Sequence, residues 1–506
     1  QQQQQQQRFP KKATHEEQRY GPGLEVEICE RRFRCINILG RGSYSEVWRA
    51  EVLDSDRGAD SGNDVREVAL KEVRCMTQSE LQQAIFEVQV LLALEGSVTP
   101  GSIAESSADD VCAVKATSSS GLASLRVPTC VAYNVEPCMN DGGWKVRTAM
   151  TVVPGESLDL FVRRPLPKSW NRHMALRRAC SLAAKLICDV APMLDMLAPI
   201  AWHRDINSHN ILIDVANDIH TDADVDAAGG LCSLDSRATF WLIDFGLAVD
   251  SQSWVTERGK WRTEYIGGDS RYWPPSSWIM HLLGPEGFAG REDLCQQYQH
   301  RLDIHGLGIT ALELLCTLGF LVPSPTEAGA GEVAAAWEAV LHAWQCYKQD
   351  VWQWWSAVYQ VFSSGGDIAP LQAKLVQDRL VERLLVLLEE IRLSLLRCAS
   401  TLGSGDASVA RLLLAIAEML DERSSSSLAE ILEKLHGSAS FEHSPGALPV
   451  TSPASQPTPP PETTGDMPEV SHQQADHLHL QPQQQLMQAQ QQLVQPQQKQ
   501  QQQQQQ

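Results

Sequence analysis

Two carboxylates, an amide and a lysine, spread over four short runs, could together handle a metal-bound polyphosphate. The run His203-Arg204-Asp205-Ile206-Asn207-Ser208-His209-Asn210 leads into apolar Ile211-Leu212-Ile213. Asp205 could accept or orient the proton of an attacking hydroxyl, and Asn210 could ligate magnesium. Asp244-Phe245-Gly246 follows an apolar strand pattern, and the Asp244 carboxylate could bridge metal and phosphates. Magnesium prefers hard oxygen ligands and keeps several waters, so one carboxylate plus one amide oxygen is a reasonable protein share. Upstream, Val68-Ala69-Leu70-Lys71 offers an ammonium to the α- and β-phosphates, with Glu87 on the next helix to fix it. Gly40-Arg41-Gly42-Ser43-Tyr44-Ser45-Glu46-Val47 has the small residues that a backbone hairpin needs to close over phosphates. Singly, each run has a plainer meaning: a turn, a surface lysine, a solvated glutamate.

The elements that must position these residues are strands first and helices later. Alternation at Phe33, Ile36 and Ile38, then Val47 and Ala50, predicts a hairpin, with a further strand over 67–73 after a polar loop at 54–64. Leu81, Ile85, Val88 and Leu92 predict a helix over 80–94. Strands are expected near 127–135 and 144–153, a helix over 175–200, and a strand over 240–243. Later, Val333, Trp337, Leu341, Trp344, Tyr347, Val351 and Trp355 recur at helical spacing, as do Val376, Leu380, Leu384, Leu388, Ile391 and Leu395. The tryptophan stripe reads as core packing. The order predicts an α+β, two-lobed fold with a small β-rich lobe carrying one main helix and a larger helical lobe.

The chain has 506 residues, 43% hydrophobic and 21% charged, which suits a globular core. A formal net charge of −20 argues against nucleic acid as a partner. The 13 cysteines never fall at C-x-x-C spacing, so they read as free thiols of a reducing, intracellular compartment. No apolar run reaches the roughly 18 residues of a membrane span, so no membrane insertion is expected. The chain starts on glutamines without Met or a charged-then-apolar leader, so it reads as a fragment and as not secreted. Residues 1–28 and 438–506, rich in Gln and in Pro, Ser, Thr and Gln, are expected to be disordered. These tails are candidate partner-binding segments, although replication slippage without function is the plainer reading. The folded part is expected over 29–437, with insertions near 96–122, 215–236 and 320–410.

Taken in order, the glycine loop, lysine, helix glutamate, H-R-D loop and D-F-G resemble the eukaryotic protein kinase superfamily. The resemblance covers roughly 33–316 and extends more weakly to about 436. It implies ATP and Mg2+ as cofactors, a protein substrate, and transfer of the γ-phosphate to a hydroxyl, Ser/Thr by preference. It assigns Lys71, Glu87, Asp205, Asn210 and Asp244 to catalysis, with Asn210 and Asp244 on the metal. Leu39, Gly40, Gly42, Val47, Ala69, Lys71, Met150, Val152 and Leu212 would contact the nucleotide, with Met150 as gatekeeper and 151–153 as hinge. Asp303, in Asp303-Ile304-His305-Gly306-Leu307-Gly308, resembles the buried aspartate that braces the catalytic loop. His203 and Phe245 resemble members of the hydrophobic stack.

Three positions depart from the pattern. Asn207 stands where Ser/Thr kinases carry lysine, Asp269 where a threonine bonds the catalytic loop, and Ser276 where a glutamate pairs with a late arginine. Arg423 is the best candidate for that arginine. Packing by Trp273 and Trp278 is the alternative anchor for the docking segment 268–276. Arg204 implies a phosphate-ordered activation loop, with Thr263 the favoured position among Ser251, Ser253, Thr256, Thr263 and Tyr265. These departures leave two other readings open: a pseudokinase scaffold that binds nucleotide and partners, and a kinase acting on small molecules.

Overall fold

A computed structural model of the chain describes residues 20–41, 45–53, 66–96, 125–138, 142–164, 172–215, 238–256, 259–264, 266–319, 331–364, 367, 369–402 and 406–437. The expected insertions near 96–122 and 215–236, and the tail from 438, lie almost wholly outside the described residues. The described chain forms two compact units. One is strand-rich and the other mostly helical, which is the α+β arrangement expected from the element order.

The first unit is a six-stranded antiparallel sheet in the order β1-β2-β3-β4-β6-β5. Its strands are β1 (Glu25–Ile28), β2 (Arg31–Arg41), β3 (Glu46–Val52), β4 (Glu67–Cys75), β5 (Cys130–Pro137) and β6 (Trp144–Thr151). Strand β1 corrects the expectation that the chain is disordered up to residue 28. Val26 and Ile28 alternate with glutamates, and that period-two pattern seats them in the core against Phe33. Trp48, Ala50, Val68, Leu70 and Ala149 complete that core. Side chains alternate across a strand, so Ala69 and Lys71 point to the opposite face. There Lys71 pairs with Val47 and with Thr148, and Ala69 with Met150. Four residues predicted to contact a nucleotide thus share one sheet face.

The second unit begins with helix α1 (Gln78–Leu94) and continues through β7 (Glu156–Ser157), α2 (Leu158–Val162), α3 (Arg172–Leu197), β8 (Ala201–Trp202), β9 (Ile211–Val215), β10 (Ala238–Leu242), β11 (Val249–Asp250) and α4 (Ser251–Val255). Helices α5 (Pro275–Leu283), α6 (Glu292–His300), α7 (Leu302–Leu318), α8 (Gly331–Ser363), α9 (Ala369–Gln377), α10 (Leu380–Leu402), α11 (Ala407–Leu420) and α12 (Leu428–His436) follow. Helix α7 is buried along nearly its whole length and packs between α3 and α11. The apolar period predicted across 376–395 is broken in the structure. Arg379 adopts a left-handed φ of 55°, and the N–H of Asp378 closes on the Lys374 carbonyl at 2.8 Å, ending α9. Val376 is left exposed, while Leu380, Leu384, Leu388, Ile391 and Leu395 are buried. No helix among the described residues is long and apolar enough to cross a membrane.

The helices of the 320–410 region brace the docking segment. Trp278 of α5 is fully buried, with Trp354 of α8 edge-on at 4.7 Å and Trp273 at 5.3 Å. Tyr347 of α8 donates its hydroxyl to the Trp273 carbonyl at 3.1 Å. Truncating Trp278 opens a large cavity in this cluster. Trp278→Ala is therefore expected to cost about 3–5 kcal/mol, read as a lower urea midpoint of the full chain.

Candidate functional site

Two short ladders hold the chemistry-bearing loops of the second unit. Strand β8 pairs with β11 (Trp202 opposite Val249), and β9 pairs with β10 (Ile211 opposite Leu242). The loop 203–210 therefore leaves one ladder and enters the other, and Asp244-Phe245-Gly246 bridges the same two ladders. The Ile243 N–H donates to the Asn210 carbonyl at 2.9 Å, tying one loop to the other.

The buried Asp303 carboxylate, at the start of α7, accepts the backbone N–H of His203 at 2.8 Å and of Arg204 at 2.7 Å. Arg204 has a φ of 63°, a left-handed conformation that a non-glycine residue holds only when its surroundings impose it. Burial pushes the Asp303 carboxyl up, while His203 and the two donated N–H groups oppose that rise. Gly306 lets α7 approach the loop, since a Cβ there would sit 2.8 Å from the Ile206 carbonyl oxygen. His203 stacks on Phe245 with centroids 5.0 Å apart. The Asp205 N–H reaches His203 Nδ1 at 3.3 Å, so Nδ1 is the acceptor and Nε2 faces the Ile243 carbonyl at 3.3 Å. Burial holds His203 below the usual imidazole range.

This scaffold presents Asp205. Its Oδ1 accepts from Asn207 Nδ2 at 2.7 Å and from the Asp269 N–H at 2.9 Å, and its Oδ2 accepts from Asn210 Nδ2 at 2.7 Å. Burial raises the Asp205 carboxyl to about 7; the Asp269 N–H lowers it, and the charges of Asp269 and Asp244 push it up. Asn207, in the place expected for a lysine, is thus a structural clamp: its Oδ1 also accepts the N–H groups of His209 at 2.8 Å and Asn210 at 3.1 Å. Because Asn210 spends its amide hydrogens on Asp205, its oxygen is the end left to meet a ligand. Asp244 is exposed, and one carboxylate oxygen accepts the Gly246 N–H at 3.2 Å. An amide oxygen and an exposed carboxylate are hard donors that fit magnesium, a metal that takes few protein ligands. Among the described residues no group of three or more His, Cys, Asp or Glu side chains gathers to hold a metal.

Helix α1 is fastened to the Asp244 segment. Gln83 donates to the carbonyls of Gly246 at 3.0 Å and Ala248 at 2.8 Å. Glu87 lies one turn on, on the same helical face, and is buried. Lys71, in the first unit, is also buried. Leu212 sits on β9, Val152 just beyond β6, and Gly40 opposite Val47. Leu39 is 41% exposed, and Gly42 lies outside the described residues.

The docking segment is rebuilt around the three departures. Asp269 holds Arg271 in a forked ion pair, Nε to Oδ2 at 2.9 Å. Arg271 Nη2 contacts His209 Nε2 at 2.9 Å, and the other ring nitrogen faces Asp159 at 3.5 Å. Arginine only donates, so Nε2 is the bare acceptor and Nδ1 carries the proton. Burial holds His209 low, as that requires. Burial disfavours the charge on both Asp269 and Arg271, yet each partner outweighs it, holding the carboxyl low and the guanidinium high. Tyr272 bonds Ser208 at 2.7 Å and donates to Glu313. Ser276 is buried with a hydroxyl that finds no partner among the described residues, and Arg423 lies at the surface 3.9 Å from Asp293. Among the described residues no acid takes the place of the expected glutamate beside Ser276, and the tryptophan cluster anchors the segment instead.

Arg204 donates to the Leu247 carbonyl at 2.9 Å and lies 5.1 Å from the Trp254 ring centroid. Thr263 is exposed after the turn Lys260–Arg262, Ser251 is buried, and Tyr265 lies outside the described residues. Sequence reading missed the buried Asp189 of α3, which accepts from Lys185 at 2.5 Å, from the Phe240 N–H at 3.1 Å, and pairs with Arg126. It fixes β10, and so Asp244, from below. An aspartate set between Ile187-Cys188 and Val190-Ala191 in an apolar stretch of the helix was the available signal. Among the described residues no disulfide joins two of the eleven cysteines.

No family model matches the chain, and no curated protein matches its sequence. Among solved structures it is similar to the BubR1 kinase domain, with 15% identity and a TM-score of 0.32 over 59% of this chain. The aligned part spans 66% of that chain, just under two thirds. It is also similar to vaccinia related kinase 3, with 14% identity, a TM-score of 0.29, and coverage of 59% and 69%. Similarity this remote leaves the function to the chain's own residues.

Two outcomes follow from the loop geometry. Gly268 has a φ of +90°, and a Cβ there would sit 2.5 Å from the Arg204 carbonyl oxygen. Gly268→Ala should cost about 1–3 kcal/mol in denaturant unfolding. Burial also depresses His281, to about 4, and His305, to about 3. A depressed imidazole contributes stability above its unfolded value that is lost as pH falls through its folded value. The urea midpoint should therefore drop between about pH 6.5 and pH 4, and His281→Gln should flatten that slope.

Proposed function

We propose that this chain is an ATP- and magnesium-dependent protein kinase that transfers the γ-phosphate to a protein hydroxyl, Ser/Thr by preference. The observation that supports it best is the Asp205 carboxylate, fixed by Asn207, Asn210 and the Asp269 N–H. Asp244 is near enough to act on it electrostatically. In this reading Asp205 orients the acceptor hydroxyl and takes its proton as the oxygen attacks the γ-phosphorus. The bond from that phosphorus to the β–γ bridging oxygen breaks, and ADP leaves with the electron pair. Asn210 and Asp244 would hold magnesium, which neutralises phosphate charge when bound. Lys71 is assigned to the α- and β-phosphates and Glu87 to fixing its ammonium. Leu39, Gly40, Gly42, Val47, Ala69, Met150, Val152 and Leu212 are assigned to the nucleotide.

A second reading, a nucleotide-binding scaffold without efficient turnover, is favoured by Asn207. That residue places a neutral amide where an ammonium would meet the γ-phosphate, and charge in a dry site strongly favours the transition state. Purified chain incubated with magnesium and ATP against peptide, protein and metabolite panels separates the readings. Transfer to Ser/Thr peptides, abolished by Asp205→Ala and by Asp244→Ala in chains that keep their melting temperature, is the expected result. Asn207→Ala should retain transfer but lower kcat by about 10–100-fold through a loosened carboxylate. Nucleotide binding with no transfer would favour the scaffold, and undiminished transfer in both aspartate variants would remove the assigned roles.

A further inference from the structure

The tryptophan stripe of α8 does more than fill a core. A groove of 820 Å³ lies in the second unit, walled by Trp344, Lys348, Trp352 and Trp355 and reaching Arg271 and Glu313. Helical spacing sets the four wall residues on one side of α8. Trp344 and Trp355 are largely buried, whereas Trp352 is 38% exposed. The rings of Trp352 and Trp355 stack with centroids 5.1 Å apart and planes 21° apart, so the buried Trp355 backs the exposed Trp352 in an aromatic surface. Lys348 lies with its ammonium 5.6 Å from the Trp344 centroid, adding a cation to that surface.

Aromatic walls receive proline-rich chain well, because an extended proline helix is already ordered and loses little entropy on docking. This chain carries such a stretch, Pro453-Ala454-Ser455-Gln456-Pro457-Thr458-Pro459-Pro460-Pro461, with P-x-x-P spacing from Pro457 to Pro460. Glu462 follows directly and supplies a carboxylate for Lys348. Gly437, the C-cap of α12, belongs to the same unit as the groove. Fifteen residues, 438–452, separate it from Pro453. Extended chain spans up to about 3.3 Å per residue, so these cover about 50 Å, close to the full width of a unit of roughly 300 residues. The linker is therefore long enough to carry the proline-rich stretch across much of that unit's surface.

We propose that the groove is the docking site of the chain's own proline-rich segment, Pro453–Pro461. Docking there lays the tail beside Arg271 and Tyr272, the residues that support the Asp205 loop. The proposal concerns binding alone and stands whether or not phosphate is transferred.

The test uses the full chain with Pro457, Pro459, Pro460 and Pro461 replaced by Ala, so that its own tail does not compete. A fluorescein-labelled peptide of residues 451–464 is titrated by fluorescence anisotropy. Saturable binding is expected, weakened roughly tenfold or more by Trp352→Ala and weakened also by Lys348→Glu. The natural chain, its segment in place, should bind the peptide less well than the proline-free chain. Trp352 and Lys348 are surface positions, and thermal melts check that both variants stay folded. The proposal is overturned by absent binding, by equal binding of a scrambled peptide, or by affinity unchanged in both variants. It is also overturned if sedimentation shows a dimer that Trp352→Ala splits without loss of peptide binding, which would make a second copy the occupant.

Discussion

One buried carboxylate sets the geometry of the loop 203–210. Asp303 takes the N–H groups of His203 and Arg204, two donors that a loop of this shape would otherwise leave unpaired. With them satisfied, Arg204 can hold its left-handed backbone, the chain turns, and Asp205 emerges beside Asn210 and Asp244. Helix α7 carries Asp303 into the centre of the helical unit, and Asp189 on α3 fixes β10 from the same side. The loop is therefore held from the interior, by carboxylates carried on two helices, α3 and α7.

The three departures from the kinase pattern become intelligible as one rearrangement. A lysine at position 207 and a threonine at 269 would bring one charge and one hydroxyl to the Asp205 carboxylate. Here two asparagine amides and a backbone N–H do the holding. Asp269 is turned instead toward Arg271, and that ion pair runs through His209 to Asp159. An ion pair this dry is stable only because each charge keeps its partner and hydrogen bonds. At Ser276 the substitution is of another kind: an ionic anchor is exchanged for tryptophan packing from a helix far along the chain.

Much of this was legible in the sequence. The H-R-D and D-F-G runs, the strand lysine and Asp303 are local patterns, and the strands and helices around them follow from apolar periodicity. That Val47, Ala69, Lys71 and Met150 share one sheet face emerges only from the register between β3, β4 and β6. What could not be read were the long-range exchanges: Asn207 as a clamp, Arg271 as the partner of Asp269, Gln83 gripping the Gly246 and Ala248 carbonyls. Each depends on residues far apart in sequence, or on a side chain whose type fits several roles. The break at Arg379 was invisible for the opposite reason, since the apolar spacing continues through a left-handed arginine that no residue type at that point announces. Strand β1 was hidden by a glutamine-rich start that drew the composition toward disorder.

The central claim is that Asn210 and Asp244 present oxygen ligands to a magnesium-bound nucleotide. Thermal unfolding of the full chain with ATP, in magnesium and in EDTA, tests it without requiring turnover. Binding to the folded state alone raises the melting temperature by mass action. The account predicts a rise with ATP and magnesium that shrinks sharply in EDTA and in Asp244→Asn. An ATP-induced rise that is the same with and without metal, or no rise at all, would contradict it.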